Sequence, residues 1–306
     1  MKKLCLFALL LALTLTLCAC GSISYSYANA SRYTAGGTVI TGTVDSLDID
    51  WIDGSVTVAY HKENTVEISE TAKKNLSDAE KLHWWLDGTT LRIKYARSET
   101  TIIGNPQKAL TVTLPESANK PLQNAEIAAV SGSIHCVPLY AETVKLSTVS
   151  GSVNAECAAD ALSASTVSGK IDMTASANEI RLSTTSGALE AEIGHAKTLD
   201  ISGISGKIRV NAAAIKKAEI DSVSGAVEAA LQKTESLKIS TVSGSVRLSL
   251  PKDSGFTADF STVSGSLNND IAASRTGSRC VLGDGSANIS VSTVSGSLTL
   301  SAYQGN

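Results

Sequence analysis

Thr241-Val242-Ser243-Gly244-Ser245-Val246 is one of nine related segments, built on a Ser-Gly pair, that determine how this chain folds. Most intervals between the nine glycines are 18 or 19 residues, and the last two are 21 and 31. A fixed period in this range is typical of a structural unit that stacks on copies of itself. The glycines are Gly132, Gly151, Gly169, Gly187, Gly206, Gly225, Gly244, Gly265 and Gly296, while the Ser-Gly pairs at Gly203 and Gly255 lie outside this register.

The positions around each motif glycine alternate between apolar and polar residues. Two residues after the glycine every unit has an aliphatic residue, and three residues after it every unit has a polar one. This period of two indicates a strand with one buried face. The apolar positions seven, five and two residues before the glycine do not share one parity. We therefore predict a corner there, at which Ser and Thr side chains satisfy backbone groups.

The columns of like residues predict the fold. Parallel, in-register stacking of coils explains such columns better than an antiparallel sandwich does. We predict an all-β fold with a single β-solenoid, similar to a parallel β-helix, of about nine to ten coils of roughly 18–21 residues. A coil of this length has a perimeter of about 60 Å, and successive coils lie roughly 4.8 Å apart. An irregular N-terminal β region precedes the regular repeats.

The chain divides into four segments by sequence pattern. We assign residues 1–19 to a signal peptide and residues 20–40, rich in Ser, Tyr, Gly and Ala, to a tether. Residues 41–125 form an N-terminal cap of degenerate coils, one of them around Gly54, and residues 126–306 form the regular repeats. The long interval before Gly296 predicts an excursion or a terminal hairpin.

The N-terminus has the pattern of an export signal. Met1-Lys2-Lys3 precede an apolar run from Leu4 to Leu17, which is too short for a permanent membrane span. The next residues, Leu17-Cys18-Ala19-Cys20, resemble the bacterial lipobox. The resemblance implies cleavage before Cys20 and a diacylglyceryl group on this cysteine. We therefore expect an exported chain that is lipid-anchored at the outer face of the bacterial cell membrane, with an ordinary cleaved signal as the alternative.

Charge and cysteine content limit the classes of partner. The 26 basic and 29 acidic residues give a net charge of −3, and removal of Lys2 and Lys3 leaves 24 against 29, or −5. The two signs are interspersed, so nothing supports nucleic-acid binding. Three of the six cysteines lie beyond the lipobox, namely Cys136, Cys157 and Cys280. Their odd number excludes a complete disulfide framework, and we interpret them as small buried residues, with an approach of Cys136 to Cys157 left open.

The motif serines and the acidic residues do not predict a catalytic or metal site. A nucleophilic serine needs an adjacent base, and none of the four histidines recurs with the repeat. Asp48, Asp50 and Asp53 resemble a calcium loop only faintly, because Ile52 occupies a position that needs an oxygen ligand. We expect no catalytic residues, no metal and no cofactor. The histidines are His61, His83, His135 and His195.

Trp84-Trp85 is the least regular local feature and the candidate partner contact. Adjacent tryptophans on a strand or loop cannot both face one core, so one of them is available for a carbohydrate or a protein. The alternative is that both cover the open end of the solenoid. The surrounding stretch from Ala72 to Leu86 predicts a short helix or a loop.

The repeat resembles a known family. Thr-Val-Ser-Gly-Ser-Val, the strand Leu91-Arg92-Ile93, the segment Leu110–Pro115 and Gly283-Asp284-Gly285 are similar to the bacterial β-strand-repeat proteins labelled "putative adhesin", domain of unknown function 4097, grouped with toastrack domains. The resemblance covers about residues 40–302. Together with the lipobox and the lack of a catalytic pattern, it predicts a non-catalytic cell-surface lipoprotein, either an adhesin-like binding module or a scaffold. A sensor or regulator in cell-envelope stress signalling is the alternative, and a glycan-active enzyme is a distant one. The implied partners are the membrane, through the lipid on Cys20, and an envelope protein or glycan.

Overall fold

The computed structural model describes residues 22–103, 106–116, 121–271 and 273–303. They form 25 β-strands and one short 3-10 turn, Ala30–Arg32. Most strand pairs are parallel, which confirms the predicted all-β solenoid. Two compact units divide the chain, unit 1 (residues 1–156) and unit 2 (residues 157–306). Within the described ranges, no helix has the length and apolar character needed to cross a membrane. Residues 1–19, predicted to be a signal peptide, and Cys20 lie outside these ranges.

Unit 1 begins with short strands and ends in the first long coils. Its strands are β1 (Ser22–Tyr25), β2 (Thr34–Ala35), β3 (Thr38–Ile40), β4 (Ser46–Trp51), β5 (Ser55–His61), β6 (Val66–Thr71), β7 (His83–Asp87), β8 (Thr90–Lys94), β9 (Thr100–Ile103), β10 (Ala109–Pro115), β11 (Leu122–Ala129), β12 (Ser133–Thr148) and the first residues of β13 (Val153–Thr166).

The degenerate coil around Gly54 is confirmed and lies inside the stack of unit 1. Strand β4 pairs in parallel with β11 on one side and with β8 on the other. Strand β5 pairs in parallel with β10 and with the beginning of β12. Leu47 and Ile49 thereby align with Ala125 and Ile127 of the next coil. The coil made of β8 and β10 follows in sequence but forms the outer layer.

Antiparallel strands close the outer layer of unit 1. Strand β6 runs antiparallel to β10, and β7 runs antiparallel to β8. Because β6 and β7 are antiparallel to the strands they cover, a further parallel coil cannot stack in register on this end of the sheet. The stretch from Ala72 to Leu86 is predicted to be a short helix or a loop. Residues 72–82 form a loop with turns, but residues 83–86 belong to strand β7, so the prediction is wrong for this last part.

The segment expected to be a tether is folded from Ser22 onward. Strand β1 pairs antiparallel with β9, β2 pairs with β7, and β3 pairs with β6. The composition of residues 20–40 is rich in small and polar residues, but its strands obtain their hydrogen bonds from partners more than 25 residues away in sequence. Composition alone does not reveal such partners.

Unit 2 contains the regular coils. After β13 its strands are β14 (Ile171–Thr184), β15 (Leu189–Gly203), β16 (Ile208–Ser222), β17 (Val227–Leu231), β18 (Thr234–Thr241), β19 (Val246–Leu250), β20 (Phe256–Thr262), β21 (Leu267–Asn269), β22 (Ser274–Thr276), β23 (Arg279–Leu282), β24 (Ala287–Thr293) and β25 (Leu298–Ala302). The 18-residue coil meets the 19-residue coil through a register shift between Ala175 and Glu179.

The final coil of the chain lies one layer inside the end of unit 2. Strand β24 pairs in parallel with β18 and with β20, and β25 pairs with β19 and with β21. The coil with Gly265 is therefore the outer layer, although it precedes the coil with Gly296 in sequence. The predicted hairpin is present as antiparallel β22 and β23, and β23 also covers the edge of β20.

Glycine is required in the motif because successive coils approach closely at this position. A Cβ on Gly225 would lie 1.9 Å from the carbonyl oxygen of Gly206, and one on Gly187 would lie 1.7 Å from that of Gly169. Three residues before the glycine a buried hydroxyl accepts a hydrogen bond from the glycine N–H, at 3.1 Å for Thr241 and Gly244. The same bond is made by Thr148, Thr166, Thr184, Ser222 and Thr293. This confirms that Ser and Thr serve the corner.

The inward and outward columns are as predicted, with one correction. The aliphatic residues two after the glycine are buried, except Leu267 in the outer coil, and none of the polar residues three after it is buried. Cys136, Cys157 and Cys280 are buried as well. The aliphatic residues two before the glycine, however, point outward, and Val263 is 83 % exposed. The inward position at the corner belongs instead to the hydroxyl residue that precedes them.

Candidate functional site

Trp84 and Trp85 lie on β7, so their side chains leave opposite faces of the strand. Trp84 aligns with Thr34 of β2 and with Ile93 of β8. Trp85 aligns with Arg92. Both rings are half-buried. The two candidate residues therefore occupy different environments, and Trp85 is the one surrounded by further aromatic and cationic groups.

Trp85 belongs to an aromatic patch that comprises Tyr27, Arg32, Tyr33, Trp85 and Arg92. The ring of Tyr33 meets that of Trp85 edge to face, with centroids 5.7 Å apart, and Tyr27 meets Tyr33 at 4.9 Å. The guanidinium carbons of Arg32 and Arg92 lie 5.3 and 6.0 Å from the centroid of the Trp85 ring. Each cation–π contact of this kind contributes about 0.5–1 kcal/mol at an exposed site.

The N-terminal segment brings most of the patch together. The N–H of Tyr27 donates to the Ser98 hydroxyl at 3.1 Å, and this hydroxyl donates to the Tyr27 carbonyl at 3.3 Å. The 3-10 turn Ala30–Arg32 follows, with its residues outside the core, and presents Arg32. Sequence reasoning identified Trp85 but missed Arg32 and Tyr33, because they lie in a segment whose composition indicated a tether.

A network of ion pairs surrounds Arg92 of the patch and the neighbouring Lys94. Arg92 donates to Asp87 at 3.1 Å and to Asp48, while Lys94 contacts Asp48 at 3.4 Å and also binds Asp50. Burial disfavours the charge of Lys94, but the carboxylates of Asp50 and Asp48 outweigh it, so the pKa of Lys94 is raised. These aspartates are thus neutralised by side chains. Burial is also the main cause of the raised pKa of Tyr33.

A second buried cluster in unit 1 surrounds Lys108, which is fully buried. Its Nζ lies 2.5 Å from Glu70 Oε1 and donates to the Glu80 carbonyl at 2.7 Å. The Nζ also lies 4.2 Å from the ring centroid of Tyr95 and 5.1 Å from that of Trp51. Burial lowers the pKa of Lys108 despite these partners. The cluster lies in the interior of unit 1, next to the coil of Gly54, and we interpret its role as structural.

The motif serines serve the backbone rather than forming a catalytic constellation. The hydroxyl of Ser224 donates to the Ile204 carbonyl at 3.2 Å, and that of Ser243 donates to the Val223 carbonyl at 3.4 Å. Repetition of this contact from coil to coil explains why serine recurs. In the part of the chain that the structure describes, no group of three or more His, Cys, Asp or Glu side chains is placed to hold a metal ion.

The outward carboxylates of unit 2 are paired across coils. Glu228 contacts Arg209 at 3.2 Å, Arg247 at 3.0 Å and Lys207 at 2.8 Å. The hydrogen bond from Lys207 is the main reason that the pKa of Glu228 is lowered. Glu190 contacts Arg209 in the same way, at 3.5 Å. The charges in successive coils thus form a ladder on the outward face of unit 2.

Comparison with known families supports the relationship suggested by the repeat. A family model described as Toastrack DUF4097 matches residues 44–301. The chain belongs to this family. The match begins just before β4 and ends within β25, so it includes both the degenerate coil and the intercalated last coil of this Toastrack chain.

Two solved structures are similar to this Toastrack chain. One is a "putative cell adhesion protein" from Clostridium sporogenes ATCC 15579, with 10 % identity and a TM-score of 0.23, over 88 % of this chain and 99 % of the other. The second is a "putative lipid binding protein" from Parabacteroides distasonis ATCC 8503, with 16 % identity and a TM-score of 0.46, over 89 % and 97 %. No curated protein matches the chain. The adhesion and lipid-binding descriptions belong to those two proteins.

Proposed function

We propose that this Toastrack chain is a non-catalytic lipoprotein of the bacterial cell surface that acts as an adhesin-like binding module. The aromatic patch is the observation that carries the proposal. It groups two half-buried aromatic rings, Tyr33 and Trp85, with the exposed Arg32 outside the aliphatic core. Rings and arginines of this kind dominate the binding energy of many interfaces.

The repeats themselves support a scaffold rather than a reaction site. Their glycines permit close stacking, their buried hydroxyls bind the glycine N–H groups, and their outward charges pair across coils. The motif residues therefore serve the stacking of coils and are not free to bind a ligand. Binding specificity therefore resides where the repeat is interrupted, in the β2 and β7 region of unit 1.

The proposed anchor is a lipid on Cys20, two residues before β1. Replacement of Cys20 by Ser should abolish labelling by a fatty-acid probe and release the protein into the medium. Unchanged labelling would contradict the anchor. An ordinary cleaved signal would give an unlabelled, secreted wild-type protein, so the same experiment separates the two alternatives.

The binding role is tested with the full chain and isolated cell envelopes. Trp85→Ala should lower the fraction of protein retained after the lipid anchor has been removed by the Cys20→Ser change. Trp84→Phe is the matched control, because it alters the neighbouring ring on the opposite strand face and should leave retention unchanged. Equal retention of all three proteins would contradict the proposed contact, and turnover of a glycan by the purified chain would contradict the non-catalytic assignment.

A further inference from the structure

We propose that the aromatic patch rests on the phospholipid headgroup layer of the membrane that holds the chain, an inference that depends on the proposed anchor at Cys20. The partner of the patch is then a lipid surface and not a soluble protein. Three observations lead to this assignment: the position at which the folded structure begins, the chemistry of the exposed groups, and the covered surface of the Trp85 ring.

The folded part of unit 1 begins almost at the anchor. Strand β1 starts at Ser22 and pairs with β9, so only Gly21 separates Cys20 from the first strand. Two residues of extended chain span at most about 7 Å, whereas a tether of 20 residues would span about 70 Å. The headgroup region on each side of a bilayer is itself about 5–8 Å thick. A lipid on Cys20 would therefore hold β1 at the membrane surface.

The patch follows β1 directly along the chain. Tyr27 lies two residues after β1, and Ser98, which binds both its N–H and its carbonyl, lies two residues before β9. The seven residues from Cys20 to Tyr27 span at most about 25 Å. Strand β1, which follows the anchor, and its partner β9 thus both adjoin segments that build the patch. No long flexible connection intervenes between Ser22 and Tyr33, since this part is folded.

The chemistry of the patch suits a headgroup layer. Tyrosine and tryptophan rings are amphipathic and are enriched at the level of the lipid headgroups. Arg32 is exposed, and among the described residues no carboxylate lies within ion-pair distance of it, so its guanidinium can bind a phosphate in a planar, bidentate manner. Arg92 differs, because Asp48 and Asp87 neutralise it. The nearby turn exposes both Arg97 and Glu99, whose charges offset each other.

The geometry argues against a sugar as the ligand of this patch. A sugar would stack on the face of an indole ring. Arg32 and Arg92 already lie over the Trp85 ring, at 5.3 and 6.0 Å from its centroid. Tyr33 meets the same indole edge to face. A headgroup phosphate needs no open ring face, because it binds the guanidinium.

The test measures how close Trp85 lies to the lipid. The full chain is produced in its bacterial host, extracted with the membrane and reconstituted into phosphatidylglycerol–phosphatidylcholine vesicles that carry a nitroxide on the headgroup. In a Trp84→Phe background, only Trp85 and the buried Trp51, which is 2 % exposed, emit. We expect nitroxide lipid to quench this emission, and Trp84→Phe/Trp85→Phe to remove the quenched component.

A pair of charge variants tests the role of the arginine. Arg32→Glu should lower the quenching of Trp85, because it replaces the proposed phosphate ligand by a like charge. Lys252→Glu makes the same charge change at an exposed residue of unit 2 and should leave the quenching unchanged. Thermal melting of each variant verifies that it is folded, and emission with unlabelled vesicles gives the reference intensity.

The outcomes separate this inference from the proposed function. Mass spectrometry of the N-terminal peptide reports whether Cys20 carries a lipid, and its absence would contradict the anchor and with it this inference. A lipidated, folded chain whose Trp85 is not quenched would overturn the headgroup contact alone. Equal quenching in Arg32→Glu and Lys252→Glu would likewise overturn the assigned role of Arg32.

Discussion

Two glycines of the same motif should respond very differently to alanine. A Cβ on Gly151 would lie 1.9 Å from the Gly132 carbonyl oxygen and 2.5 Å from its carbon. For a Cβ on Gly132 the nearest atoms are Trp51 Cδ1 at 3.2 Å, Ala129 Cβ at 3.4 Å and the Gly54 carbonyl oxygen at 3.7 Å. The difference arises because the coil beneath Gly132 is the degenerate one.

The magnitude follows from what must move. The Gly132 carbonyl would have to shift by more than 1 Å in Gly151→Ala, and it accepts a hydrogen bond from the Thr148 hydroxyl at 3.1 Å. Overpacking costs about 1–3 kcal/mol and a weakened hydrogen bond about 1 kcal/mol, so Gly151→Ala should cost about 2–4 kcal/mol. Gly132→Ala reduces the conformational entropy of the unfolded chain, which stabilises the folded state by about 0.4–1 kcal/mol. This gain offsets the mild crowding of the new Cβ against Trp51 and Ala129.

Urea unfolding followed by tryptophan emission measures this difference. All three tryptophans, Trp51, Trp84 and Trp85, belong to unit 1, as do both glycines, so the signal reports the unit that is altered. The midpoint should fall clearly for Gly151→Ala and change little for Gly132→Ala. Equal midpoints, or a lower midpoint for Gly132→Ala, would refute the close-approach explanation of the motif glycine.

Three further predictions concern unit 2 and the loop before β7. Val246→Asp places a charge at a position that is 1 % exposed and should lower the free energy of unfolding by several kcal/mol. Arg247→Ala, at the next residue, should lower it by under about 0.5 kcal/mol. Similar losses of stability in a melting experiment would contradict the assignment of inward and outward columns. Gly203 stands where six other coils have the buried hydroxyl, and its Cβ would lie 3.1 Å from Ile208 Cδ1. In an Ile208→Val background, which removes this contact, Gly203→Thr should therefore stabilise by about 1 kcal/mol, and a melting temperature below that of Ile208→Val alone would count against the hydroxyl ladder. Hydrogen bonds from Lys74 and then from Ser77 lower the pKa of Glu80 from 4.5 to about 2. The ionised carboxylate therefore stabilises the folded chain above pH 4.5, and this contribution is lost as the pH falls towards 2. Glu80→Gln should flatten the dependence of stability on pH over this window, and an unchanged slope would show that another group titrates there.

The sequence predicts the coil but not the order in which the last coils stack. Columns of identical residues determine which side chains are buried, because burial depends on local alternation. The segment Thr293–Leu298, however, has the same pattern as its neighbours, so it is equally complementary to the coils of Gly244 and Gly265. Only the long connection from β21 to β24 determines that it inserts between them.

The same reasoning explains the partial success at the candidate site. Trp85 was recognisable as an aromatic residue in an irregular region. Its contacts Arg32 and Tyr33 lie about fifty residues earlier, in a segment without hydrophobic periodicity. Val223 and Val242, two residues before their glycines, belong to an apolar column and are nevertheless exposed, because a tight corner turns this column towards solvent.

The intercalated last coil affects how unit 2 is completed as the chain folds. In an ordinary repeat array, each coil can dock as soon as it emerges, and the array can unravel from its terminus one repeat at a time. Here the coil of Gly265 has no parallel neighbour until β24 and β25 are in place, so this end of the sheet cannot close before both strands have been made. Once closed, β25 is hydrogen-bonded to β19 on one side and to β21 on the other. A protease that has digested the chain as far as β25 therefore meets a strand held on both edges, and a chain that lacks β24 and β25 should be unable to close this end of the sheet.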